Sequence, residues 1–227
     1  QVLTGLQAFK AHDMYWQSVR VWCYVYNPGD AAAELVRQAY TMFLTENGLD
    51  PTVFPSMLKL ETELVRMMAD LLRGGEAAVG HVTTGGTESI MLAVKTARDK
   101  ARAERPEITA PEMVLPQTAH AAFHKAAHYL GVRPVVTRFD PTTFRADVEA
   151  MKNAITSRTI LMVGSAPSYP HGVVEAIEAL AAAAQSVGIL SHTDACVGGF
   201  VLPFVRRLGY PAPGFDFSLP GVTSISA

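Results

Sequence analysis

An α/β fold is what this sequence predicts, with a mostly parallel sheet held between helices and a helical arm ahead of it. Three observations carry the prediction. From residue 76 onward, short apolar runs alternate with segments of helical period. The stretch 1–75 holds helical-period segments and no strand-like run. Glycine and small-residue clusters mark the joints where a strand pattern gives way to a helix pattern. Strands separated by helices form parallel sheets covered on both faces.

The elements follow in order. Ala31 to Glu46 predicts a helix with Leu35, Val36, Ala39, Tyr40 and Phe43 on one face, and Gly48 and Pro51 end it. Pro55-Ser56 opens a second helix, in which Met57, Leu60, Leu64, Met67, Met68, Leu71 and Leu72 keep helical spacing up to Gly74-Gly75. A third runs from Thr87 to Arg105, ahead of Pro106. Met113-Val114-Leu115 predicts a buried strand, Ala119 to Gly131 a helix, and Arg133 to Phe139 a strand. Phe144 to Thr156 predicts a helix and Thr159 to Gly164 a buried strand. Val173 to Val187 is an alanine-rich helix closed by Gly188, and Gly188-Ile189-Leu190 leads into a further strand. Residues 1–75 are thus expected to form a helical arm and 76–227 an α/β domain. No internal repeat or low-complexity segment interrupts them.

The chain has 227 residues, 49% hydrophobic and 18% charged, with a net charge of −2. That profile predicts a soluble globular protein with a sizeable core. No basic excess points to nucleic acid. The longest apolar candidate for a membrane span, Ala176 to Leu190, is interrupted by Glu178, Gln185 and Ser186. No signal peptide is visible, and Cys23 and Cys196 are too few for a disulfide framework. A cytoplasmic protein is the expectation. The chain begins with Gln1 and stops after a strand-like run, so a fragment of a longer protein is expected.

In a parallel sheet, ligands gather where strands end and helices begin. The chemically interesting residues fall at those joints. In Thr83-Thr84-Gly85-Gly86-Thr87-Glu88-Ser89, the glycines would let a backbone approach an anion, and the amides of a starting helix would point at it. Thr87 would cap that helix. The same residues also suit an ordinary tight turn. There is neither a Walker Lys-Ser/Thr nor a G-x-G-x-x-G spacing. Asp194, in His192-Thr193-Asp194-Ala195-Cys196, closes a strand. A carboxylate buried there needs a cation or a strong donor, such as a protonated pyridine nitrogen; a helix cap or a surface aspartate is the plainer reading. His120 lies just past another strand end. His124 and His128 stand one helical turn apart, but no third ligand accompanies them, and no metal site is expected. Cys196 reads as a small core residue.

Taken together, these stations resemble the fold-type-I pyridoxal 5'-phosphate (PLP) enzymes of the group II decarboxylase superfamily, and within it the sphingosine-1-phosphate lyases. The resemblance covers residues 20–227. It is carried by Val53-Phe54-Pro55, Thr84-Gly85-Gly86-Thr87-Glu88-Ser89-Ile90, Ala119-His120-Ala121-Ala122-Phe123, Pro170-His171-Gly172-Val173, Asp194-Ala195-Cys196-Val197-Gly198-Gly199-Phe200 and Gly221-Val222-Thr223-Ser224-Ile225-Ser226-Ala227. It implies that Gly85, Gly86 and Thr87 bind the PLP phosphate, that His120 stacks on the pyridine ring, and that Asp194 pairs with the ring nitrogen. Tyr169 matches a position near the reacting centre, where a phenol can move a proton. Tyr26 and Asn47 match positions facing the substrate phosphate or cofactor.

The implied activity is carbon–carbon cleavage of a phosphorylated sphingoid base by a homodimer with interface sites, without membrane span or nucleic acid. An amino-acid decarboxylase or a non-catalytic binding subunit are the alternatives. Two departures stand out. The family follows Ser-Ile-Ser-Ala with Asp-x-His-Lys, whose lysine holds the cofactor, and no lysine here sits in that context. The chain as given is therefore expected to be inactive by itself. Asp50 stands where many lyases have His, and would repel a substrate phosphate at short range.

Overall fold

The structure, a computed structural model, describes residues 1–18, 20 and 25–227. Cys23 lies outside the described residues. The chain divides into two units, Gln1–Leu58 and Lys59–Ala227. The first holds helices α1 (Val2–Phe9) and α2 (Asp30–Met42) and the opening of α3 (Pro55–Leu71). Pro55 at the first helical position costs no hydrogen bond, and Asp30 complements the positive end of α2. No residue of α1 or α2 is buried.

The second unit continues through α4 (Gly86–Glu104), β1 (Glu112–Pro116), α5 (Ala122–Leu130), β2 (Arg133–Thr137) and α6 (Val148–Asn153). β3 (Thr159–Ser165), α7 (Ile177–Ser186), β4 (Leu190–Asp194), α8 (Leu202–Arg207) and β5 (Ser224–Ser226) complete it. The sheet order is β2-β1-β3-β4-β5 and every pair is parallel. Parallel neighbours need crossovers, and the helices supply them.

Side-chain alternation explains why the central strands read as continuous apolar runs. Met113 and Leu115 of β1, with Leu161 and Val163 of β3, pack with Ile90 and Val94 of α4 and Phe123 of α5. Val114 and Met162 point the other way, onto Met151 of α6 and Leu180 and Ala184 of α7. With both faces covered, neither register is polar. At the amino ends of the strands, buried Glu112 accepts hydrogen bonds from Arg133 at 2.6 Å and from Arg158 at 2.8 Å.

Three helices begin later than their apolar periods predict. α5 starts at Ala122, because the His120 ring accepts the Ala122 amide and shapes the entry turn. α6 starts at Val148, where Asp147 Oδ1 accepts the Ala150 amide as an N-cap. Ahead of it, Phe139 bridges Ala146 and Phe144 turns at φ 58°. α7 starts at Ile177, because Val173 bridges Ser168 and Glu175 turns inward.

Candidate active site

The glycine loop is shaped by its own polar groups. Gly85 is the N-cap of α4 at φ 151°, a conformation that disfavours L side chains. No side chain caps this helix, so the capping expected of Thr87 does not occur; Thr87 is already the second helical residue. The Glu88 and Ser89 amides close on the Gly85 carbonyl at 3.0 and 3.2 Å. The amides of Gly86 and Thr87 therefore precede the first helical bond, at the positive end of the dipole. Thr84 donates its amide and its hydroxyl to Glu88 Oε2 at 2.7 and 2.6 Å. Those bonds, the hydroxyl's first, hold the Glu88 carboxyl below its ordinary range. A Cβ on Gly86 would stand 2.8 Å from Cys196 Sγ, so this edge of the loop is packed against the turn after β4.

That turn carries Asp194, which is buried and accepts the Cys196 amide at 3.2 Å and the Ser226 hydroxyl at 3.4 Å. Among the described residues, no lysine or arginine forms an ion pair with it. Burial, aided by Asp194, pushes the Cys196 thiol up to about 12, so it stays protonated.

His120 stands in the turn after β1. Its Nδ1 accepts the Ala122 amide at 3.1 Å, so in the neutral ring the proton lies on Nε2. Its ring meets Tyr169, in the turn after β3, edge-on at a centroid distance of 5.2 Å. β2 and β3 lie on opposite sides of β1, so the chain reverses direction across the sheet there. His120, Tyr169 and Asp194 all occupy carboxyl ends of strands around this switch point, where such sheets bind ligands.

A cavity of about 400 Å³ opens beside Gly85, Gly86, His192 and Ser226. His120, Tyr169 and Asp194 do not line it, so the candidate site rests on strand-end geometry instead.

Tyr26 and Asn47 belong to the Gln1–Leu58 unit. Tyr26 is exposed. Asn47 Oδ1 accepts the Leu49 amide at 3.0 Å. Asp50 Oδ1 accepts the Thr52 hydroxyl and amide at 2.6 and 2.9 Å, a turn just ahead of α3. His124 and His128 are exposed on α5. Among the described residues, no three metal-ligating side chains converge, and no helix is long and apolar enough to cross a membrane.

Two residues here escaped the sequence reading. Glu175 is buried between the turn after β1 and the end of β3, accepting from Thr118 Oγ1 at 2.9 Å and from the Ser165 amide at 2.8 Å. In the sequence it falls within the predicted alanine-rich helix of Val173 to Val187. His192, seen as part of a motif, is fully buried on β4 and bridges Ser224 and Ser226 of β5 at 2.9 and 3.2 Å.

The chain belongs to the pyridoxal-dependent decarboxylase family, whose conserved-domain model matches residues 11–227. Within that family it is similar to sphingosine-1-phosphate lyases. It is 45% identical to the enzyme of Dictyostelium discoideum over 219 residues, 96% of this chain and 40% of that protein. It superposes on the Burkholderia pseudomallei sphingosine-1-phosphate lyase structure with a TM-score of 0.92 at 39% identity, covering 99% of this chain and 53% of that one. A probable L-aspartate decarboxylase of Pyrococcus furiosus is 40% identical over 193 residues, 85% of this chain and 50% of that protein. The chain thus spans about two fifths to half the length of these relatives. The fold is that of fold-type-I PLP enzymes.

The residues present fit that cofactor. The α4 amino terminus offers amides to a phosphate without a competing side-chain cap. Asp194 is a buried carboxylate suited to a protonated ring nitrogen.

Proposed function

We propose that this chain carries the cofactor site of a PLP-dependent lyase that cleaves the C2–C3 bond of a phosphorylated long-chain sphingoid base, giving a fatty aldehyde and phosphoethanolamine. The observation that supports it most is Asp194, a buried carboxylate without a lysine or arginine ion pair among the described residues, at the carboxyl end of β4. PLP, when bound, supplies the electron sink that makes cleavage beside an amine-bearing carbon feasible.

In this reading the amides of Gly86 and Thr87, with Gly85 allowing close approach, bind the cofactor phosphate. His120 packs on the ring face. Asp194 keeps a proton on the ring nitrogen, a charge-assisted hydrogen bond in a site of low dielectric. Tyr169 Oη moves the proton of the substrate C3 hydroxyl, and Tyr26 and Asn47 face the substrate phosphate. The protein acts as a cytoplasmic homodimer with sites at the interface. Leu35, Val36 and Tyr40 of α2 are exposed, and a second copy would cover such residues.

The Pyrococcus relative supports a second reading, amino-acid decarboxylation. Incubating the full-length protein and PLP with a sphingoid-base phosphate, aspartate and glutamate separates the two. Aldehyde without CO2 is expected, and CO2 without aldehyde would refute the lyase reading. Light scattering after size exclusion reads the dimer, and cell fractionation the compartment.

A further inference from the structure

Resting on the cofactor reading above, we propose that Glu175 is a positioning residue of the site: its carboxyl ties the turn that carries His120 to the end of β3 beside Asp194, and its charge couples to the charge Asp194 holds. The geometry is a two-sided latch. Glu175 Oε1 accepts from Thr118 Oγ1 at 2.9 Å, two residues before His120. Oε2 accepts from the Ser165 amide at 2.8 Å, and the Glu175 amide returns a bond to the Ser165 carbonyl at 3.1 Å. Ser165 is the register partner of Asp194 across β3 and β4. One carboxyl therefore joins the turn that carries the stacking ring to the end of β3, the strand in register with the one that carries the ring-nitrogen partner.

The groups facing Glu175 leave its charge uncompensated. From the turn after β1 comes the Thr118 hydroxyl, and from β3 the Ser165 amide. The adjoining part of α7 is apolar, Ile177 and Leu180, which with Glu175 crowd over Gly164. From β4 comes the negative charge of Asp194. Among the described residues, no lysine, arginine or histidine forms an ion pair with Glu175. Burial above all, with Asp194 adding to it, pushes this carboxyl up to about 7. Near neutral pH the latch passes between two forms. The neutral form donates one bond and leaves Asp194 alone. The ionised form accepts both and adds negative potential behind the ring-nitrogen partner, which favours a protonated ring.

The test is PLP affinity of the full-length protein between pH 6 and 8.5, for wild type, Glu175→Gln, Glu175→Asp and Thr118→Val. The wild-type to Glu175→Gln ratio is the readout, because it cancels the titration of PLP itself. The two are expected to agree within about twofold at pH 6, and Glu175→Gln to bind roughly fivefold more weakly at pH 8.5. Glu175→Asp, which keeps the charge, should restore the pH dependence. Thr118→Val should weaken binding at both ends of the range, by loosening the turn under His120. A Glu175→Gln ratio that is constant with pH would overturn the proposal while leaving the cofactor reading intact. Absence of PLP binding by the wild type would overturn both.

Discussion

His192→Gln should blunt the protein's sensitivity to acid. The ring is fully buried between Ser224 and Ser226, and burial lowers its pKa from 6.5 to about 4, against the pull of Asp194. At ~1.4 kcal/mol per pH unit, that lowering corresponds to roughly 3 kcal/mol. Between these values the unfolded chain holds a proton on this residue that the native state lacks. The stability is therefore fully present above 6.5 and is lost as pH falls towards 4. Glu175 acts with the opposite sign. Its folded pKa is raised from 4.5 to about 7, so its contribution is present below 4.5 and lost as pH rises through 7. The two slopes oppose each other over most of that range, and a single variant unmasks the other.

Urea unfolding of the wild type and His192→Gln at four values from pH 4.5 to 7.5 checks the reasoning. At pH 7.5 the variant should be less stable by about 2 kcal/mol, from weakening two buried hydrogen bonds. By pH 4.5 the difference should close or reverse. Parallel curves would refute the account, because they would mean that the His192 proton is bound alike in both states.

Further outcomes follow from the same contacts. Glu175→Gln should be more stable than wild type at pH 8.5 by up to about 3 kcal/mol and indistinguishable at pH 4.5, read from the same urea series. Gly86→Ala places a methyl 2.8 Å from Cys196 Sγ and should cost about 1–3 kcal/mol. Adding Cys196→Ala removes the sulfur and leaves Cβ at 3.6 Å, so the double variant should recover most of that loss; no recovery would mean the loop is not packed as described. Tyr169→Phe should keep PLP affinity within about twofold and lower turnover of the full-length enzyme by about 10²-fold or more, as measured by aldehyde release.

The sheet was legible because its central strands are buried on both faces. Met113-Val114-Leu115 and Thr159 to Gly164 have no polar register to confuse the pattern. Helix starts were less legible, because side chains rather than apolar period set them. The His120 ring and the Asp147 carboxylate decide where α5 and α6 begin. The glycine loop could be located from its residues, yet nothing in their spacing showed that Thr84 would bond Glu88 and shape it. Glu175 and His192 depend on partners tens of residues away, Thr118 in one case and Ser224 and Ser226 in the other. Local spacing carries no trace of such pairings, which exist only once the parallel strands are in register.

The central claim is that Gly85, Gly86 and Thr87 at the start of α4, with His120 and Asp194 at strand ends, hold PLP. Titration of the full-length protein with PLP, wild type against Asp194→Asn, tests it most directly. The account predicts saturable binding by the wild type and at least about tenfold weaker binding by the variant, the scale of one charge-assisted hydrogen bond. Equal affinity in the two proteins, or no binding by the wild type, would contradict it.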